Sequence, residues 1–172
     1  MRFEVRPPGV REISAGAPAK IAGENARLKA RAIAAAPEEV VLGADTVVVL
    51  GDWVLGKPES EADAVSILAR LSGATHSVLT AVALISARWG AWEKVIETRV
   101  RFRRIPSDEI SAYCRTSEPY DKAGAYAIQG LGCLFVEAIE GSYTNVVGLP
   151  AEAVLEGLAA LTGIAPSGWG GG

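Results

Sequence analysis

Histidine and cysteine are scarce in this sequence: 172 residues hold one histidine, His76, and two cysteines, Cys114 and Cys133. A lone histidine excludes a two-histidine zinc centre. Two cysteines without metal-ligand spacing exclude a disulfide framework and are expected as reduced thiols. Excess positive charge is missing as well. Seventeen basic side chains face twenty acidic ones, a formal net charge of −3, so no overall field draws nucleic acid or an anionic membrane. No apolar run is long enough to span a bilayer, and the opening MRFEVRPPGVRE lacks the apolar stretch of a signal peptide. Gly130-Leu131-Gly132 lacks the third glycine of a dinucleotide loop, and no phosphate-loop lysine motif occurs. A cytoplasmic protein with no nucleic-acid or membrane partner is the expectation.

What is present reads as an ordinary globular chain, 49% hydrophobic and 22% charged. The length suffices for one domain that buries roughly 70% of its unfolded surface. A short strand is expected at Phe3-Glu4-Val5, broken by Pro7-Pro8-Gly9. An alanine-rich helix is expected over 18–36, with Ile21, Leu28 and Ala32 on one side and Pro37 as its stop. An apolar strand follows over 40–50, then a turn at Gly51-Asp52 and a return strand at Trp53-Val54-Leu55. Ser60 to Asp63 resembles a capping box before a second helix, which Ser72-Gly73 closes.

Strands are expected over 76–87 and 93–104. In the latter, Ile96, Thr98, Val100 and Phe102 face one way, and Glu97, Arg99, Arg101 and Arg103 the other. The arginine row reads as a solvated face balanced by Glu93 and Glu97. A helix beginning at Pro106-Ser107 carries Ile110, Tyr113 and Cys114. Strands are expected over 134–139 and near Val146-Val147, and a last helix after Pro150 shows Val154, Leu158 and Leu161, with Gly163 as its stop. The pattern is a single α/β domain over 1–165 with strands of mixed direction, followed by a flexible glycine-rich tail over 166–172.

Three stretches exceed folding needs. Asp45 sits inside an almost unbroken β-branched run, where an uncompensated carboxylate costs several kcal/mol. With Thr46 beside it and Gly56-Lys57-Pro58 downstream, it offers a base or metal ligand near a phosphate-binding lysine. The alternative is an acid that caps a turn and a lysine solvated on a loop. The stretch from Asp121 to Gly130 packs Asp121, Lys122, Tyr126 and Gln129 among small residues that let a ligand approach the backbone. Its alternative is an incidental ion pair at a loop. Gly141-Ser142-Tyr143-Thr144-Asn145 reads mainly as a polar turn before a helix.

Taken together, "GADTVVVL…LGKP", "LSGATHSVLTAVAL", "TRVRF", "EPYDKAGAYAIQG" and "EGSYTNVVGLP" stand in the order and spacing of the Maf family of nucleotide pyrophosphatases, also called septum-formation inhibitor proteins. The resemblance runs from about Phe3 to Gly163. It implies an α/β fold with a mixed, twisted sheet flanked by helices and a deep nucleotide-binding cleft. It also implies hydrolysis of a nucleoside triphosphate to monophosphate and pyrophosphate with a divalent cation, Mg²⁺ or Mn²⁺, and suggests a homodimer. Asp45 resembles the family's proton acceptor. Lys29 and Lys57 resemble its cleft lysines, and Lys122 lies in a matched block. Thr46 and Gln129 match positions tied to substrate choice and resemble the dTTP/UTP subgroup.

The family's Ser-x-Ser-Pro-Arg-Arg phosphate loop has no counterpart here. Of its acidic pair after the second strand, matched by Arg11 and Glu12, only Glu12 fits, and the resemblance implies Glu12 and Asp45 as metal ligands. Two readings stay open: the start of the protein lies upstream of Met1, or this is a shortened relative that binds nucleotide, or regulates division, without catalysis.

Overall fold

A computed structural model describes residues 3–163; the expected tail over 166–172 lies outside them. Five helices, α1 (Pro18–Arg31), α2 (Glu61–Leu71), α3 (Ser107–Cys114), α4 (Tyr143–Val147) and α5 (Ala151–Thr162), accompany five strands, β1 (Val41–Leu50), β2 (Trp53–Leu55), β3 (Thr75–Ser86), β4 (Gly90–Phe102) and β5 (Val136–Glu140). The strands form one sheet in the order β2-β1-β3-β4-β5. It is an α/β fold, but the sheet is antiparallel rather than mixed. For two of the four neighbouring pairs the joins explain this: β1–β2 and β3–β4 are connected by turns too short for a parallel crossover. In β1–β2, Val49 pairs with Val54; in β4–β5, Val100 pairs with Ile139.

The elements follow local chemistry. Proline at its first turn starts α1, and Ser60 Oγ caps α2 by accepting from the Asp63 amide at 3.2 Å. The expected box is not reciprocal, because Asp63 accepts from the Glu59 amide instead. The first helix ends at Arg31 rather than at 36, and its buried face is Ile21, Ala22, Asn25, Ala26 and Ala30. Leu28 lies outside that face. The expected strand at Phe3-Glu4-Val5 is absent, and both Phe3 and Val5 are exposed. Around Val146-Val147 the chain forms α4, not a strand. Ser142 Oγ caps its start, and Gly148, at φ +106°, provides a left-handed end open to glycine.

Among the described residues, contacts gather into two compact units: residues 3–45, 81–95 and 151–163, and residues 46–80 and 96–150. In the first, Val82 and Leu84 of β3 meet Val154 of α5, with Trp92, Leu158 and Leu161 against them. Gly157 is needed there, since a Cβ would lie 2.4 Å from the Trp92 ring. In the second, Leu68 and Leu71 of α2 and Ile110, Tyr113 and Cys114 of α3 pack with Val78, Val100, Phe102 and Phe135. The β4 alternation is as expected, with Thr98, Val100 and Phe102 buried. The arginines opposite do not pair with Glu93 and Glu97. Arg99 and Arg101 meet Glu140 and Glu137 of β5, and Arg103 meets Glu109. Cys114 and Cys133 are both free. Among the described residues, no helix is long and apolar enough to cross a membrane.

His76 sits in the second unit's aromatic core, edge-on to Phe102 at 4.9 Å and to Tyr126 at 5.5 Å. Its Nε2 lies 2.9 Å from the Tyr126 hydroxyl. Burial pushes its pKa down to about 4. The neighbouring Ser77 hydroxyl donates to Glu97 at 2.6 Å. An unfolded histidine protonates near its ordinary value of about 6.5, so between there and pH 4 the unfolded chain binds a proton that the folded chain refuses. Stability should therefore be complete above pH 6.5 and fall by about 2–3 kcal/mol towards pH 4 from this group alone. Urea unfolding between pH 7 and 4.5 should show a shallower acid limb in His76→Phe than in the parent. An equal acid limb would contradict this.

Candidate active site

The centre of the candidate site exists because β1 comes unusually close to α1. At Gly43, a Cβ would lie 2.2 Å from the Ala26 carbonyl oxygen and 2.7 Å from the Ala30 nitrogen. Only glycine on the strand and alanine on the helix allow that approach. Two residues along the strand, on the same face, stands Asp45. Asn25 and Lys29, four apart in α1, rise from the same helical face to meet it.

Asp45 is 8% exposed, and each carboxylate oxygen has a partner. Lys29 Nζ donates to Oδ1 at 2.6 Å, and Asn25 Nδ2 donates to Oδ2 at 3.1 Å. Lys29 Nζ also reaches Glu12 Oε1 at 2.8 Å. Burial works against the Lys29 ammonium. The hydrogen bonds it donates to the Asp45 and Glu12 carboxylates outweigh that cost, and its pKa rises above the ordinary lysine value. Asn25, fully buried, uses both faces of its amide: besides Asp45, it donates to the Ile13 carbonyl at 3.0 Å and accepts from the Ile13 amide at 2.8 Å. It thus moors the irregular chain around Glu12 beside Asp45. The carboxylate in the apolar strand is compensated by a cation and an amide.

The other expected residues divide differently. Lys57 is exposed after β2, and Lys122 donates to Asp121 at 2.6 Å. The Lys122 bond first, and the Lys57 charge more weakly, hold the Asp121 carboxyl below its usual range. The two loops are stitched where the Gly124 amide donates to the Gly56 carbonyl at 3.0 Å. A Cβ on Gly124 would come 3.1 Å from Val48, and Ala125 next to it adopts φ +60° while fully buried. A left-handed alanine costs about 1 kcal/mol or more, so packing holds this loop in a strained shape. Gln129 is exposed in the turn before Gly130 and joins neither group. Thr46 points away from Asp45, and its hydroxyl meets Thr80 at 2.9 Å.

Sequence reasoning missed Asn25, Thr80 and Asn145. Asn25 falls four residues before Lys29 and four after Ile21, a stripe that marks a buried helical face. Thr80, polar within the apolar run of β3, carries the signal that singled out Asp45. Asn145 lies in a segment read as a polar turn, yet it is fully buried and bonds to Val78 and Thr98.

Among the described residues, no three histidine, cysteine or acidic side chains cluster tightly enough to hold a metal ion by themselves. Glu12 and Asp45 are brought together on one ammonium. Two hard carboxylates suit Mg²⁺ or Mn²⁺, which take one or two such ligands and complete their shell with water and phosphate oxygens. The donor set fits such a cation when phosphate is present.

Residues 1–161 match the family described as Maf-like protein, and the chain belongs to that family. A dTTP/UTP pyrophosphatase of Syntrophus aciditrophicus is 51% identical over 132 residues, 76% of this chain and 64% of that protein. One from Moorella thermoacetica is 55% identical over 134 residues, 76% of this chain and 69% of its own. One from Geobacter sulfurreducens is 51% identical over 144 residues, covering 83% and 75%. The match thus spans 64% to 75% of the length of these relatives.

Gly43→Ala is expected to cost about 3 kcal/mol or more, because the obstacle is helix backbone that cannot step aside. Gly23→Ala in the same helix meets nothing within 4 Å and should be neutral or stabilising by up to about 1 kcal/mol. Urea unfolding of both variants checks this, and equal stability of the two would refute the close-approach account.

Proposed function

We propose that this chain is a nucleoside triphosphate pyrophosphatase that hydrolyses dTTP and UTP to the monophosphate and pyrophosphate. The observation that carries the reading is the buried Asp45 carboxylate, held by Lys29 and Asn25, in a chain of the Maf family. Relatives about half identical to it bear the name dTTP/UTP pyrophosphatase.

In this reading, water attacks the α-phosphorus and gives its proton to Asp45. Its orientation is preset, since both carboxylate oxygens are tied by side chains of one rigid helix. Lys29 places positive charge where phosphoryl oxygens become more negative. Lys57 and Lys122 supply charge for the departing pyrophosphate. Glu12 and Asp45 would hold a divalent cation, which when bound supplies further neutralisation of the phosphate oxygens. Thr46 and Gln129 face the nucleobase.

Pyrophosphate release from UTP and dTTP by the purified chain, with Mg²⁺ or Mn²⁺, tests the reading. Asp45→Asn should lower turnover by about 10²–10⁴-fold, the usual contribution of a positioned base. A folded chain that releases no pyrophosphate, or an Asp45→Asn variant with full turnover, would overturn it.

A further inference from the structure

Thr80 is fully buried in β3, and its hydroxyl oxygen has two oxygen neighbours. One is the Asn145 main-chain carbonyl at 2.9 Å, and the other is Thr46 Oγ1 at 2.9 Å. Oxygens that close attract only with a hydrogen between them. A carbonyl brings none, so the single hydroxyl hydrogen of Thr80 lies on the Asn145 side. The hydrogen of the other contact must then come from Thr46. Its one donor is spent on Thr80, and what its oxygen still offers is acceptor capacity alone.

The Asn145 end of this hydrogen-bond relay is held at several points. Asn145 is fully buried, and its side-chain amide donates to the Val78 carbonyl and to Thr98 Oγ1, both at 2.9 Å. Its own amide is capped by Ser142 Oγ at 3.2 Å, and its carbonyl also accepts from the Gly148 amide at 3.0 Å. Near the other end, a Cβ on Gly148 would come 3.4 Å from Thr46 Oγ1. Glycine there, at φ +106°, leaves one flank of the hydroxyl uncrowded. Thr46 itself is only half-buried.

We propose that Thr80 is a positioning residue for base selection: it fixes the Thr46 hydroxyl as an acceptor, which favours a pyrimidine with a hydrogen on N3 over one without. Uracil and thymine present N3–H as a donor. Cytosine presents a bare N3 lone pair, and two acceptors face to face leave both unsatisfied, worth about ten- to a hundred-fold in discrimination. This inference rests on the reading above, in which Thr46 faces the base.

The test compares kcat/KM for UTP and CTP in the parent, Thr80→Val and Thr80→Ser, with calorimetric binding of uridine and cytidine monophosphates alongside. Valine keeps the shape and removes the hydroxyl. The Asn145 carbonyl keeps its Gly148 partner, so the substitution strands no buried acceptor and only frees Thr46 to turn and donate. The UTP-to-CTP ratio should fall about ten-fold or more in Thr80→Val, chiefly through a gain with CTP, and stay at the parent value in Thr80→Ser. A merely structural role would lower both substrates together and leave the ratio unchanged, which would overturn the inference. Should Thr80→Val fail to fold, Thr46→Val, which removes the acceptor itself, must lose the preference for UTP; its retention is equally fatal. A parent that cleaves UTP and CTP alike refutes this inference and leaves the pyrophosphatase reading standing. A parent that cleaves neither and binds neither monophosphate sinks both.

Discussion

A carboxylate buried in an apolar strand can persist only with a partner of opposite charge and a full set of hydrogen bonds, because an unpaired one costs several kcal/mol. Asp45 and Lys29 meet that demand at 2.6 Å, with Asn25 on the second oxygen. Much of the first unit's local design serves this contact. Alanines on α1 and Gly43 on β1 remove the side chains that would hold helix and strand apart. Asn25 then draws Ile13 in, and Glu12 follows onto the same ammonium. The pair is an organising element as well as a source of chemistry.

The second unit solves a different problem with the same economy of small residues. Gly124 against Val48, and its amide on the Gly56 carbonyl, bring the loops of Lys57 and Lys122 together. Ala125 tolerates a left-handed backbone because it is wholly enclosed. The Glu118 carboxylate braces the following turn, accepting from the Tyr113 hydroxyl and the Leu131 and Gly132 amides. Lysines thus stand on loops whose backbones are pinned, which favours positioning over mobility.

Legibility in the sequence followed the strength of the local signal. The β4 alternation and the α2 cap were readable, because period and capping chemistry are nearest-neighbour properties. Asp45 was readable for its cost. The strand expected near Val146-Val147 was misread, since two β-branched residues outweighed the Ser142 cap and the Gly148 stop. The partners of the β4 arginines were hidden for another reason: which acids face them depends on register with β5, a non-local property. Sheet direction was lost in the same way. Asn25 and Thr80 were overlooked because their value lies in contacts with residues far along the chain.

A double-mutant cycle on Lys29 and Asp45, read by urea unfolding at neutral pH, addresses the central claim. Lys29→Met and Asp45→Asn each remove one side of the contact, and the double variant removes both. Direct pairing predicts that the double variant is more stable than the sum of the single losses requires, by about 1 kcal/mol or more. Additive losses, equal within about 0.5 kcal/mol, would mean that the two groups do not hold one another and that Asp45 is kept in its strand by something else.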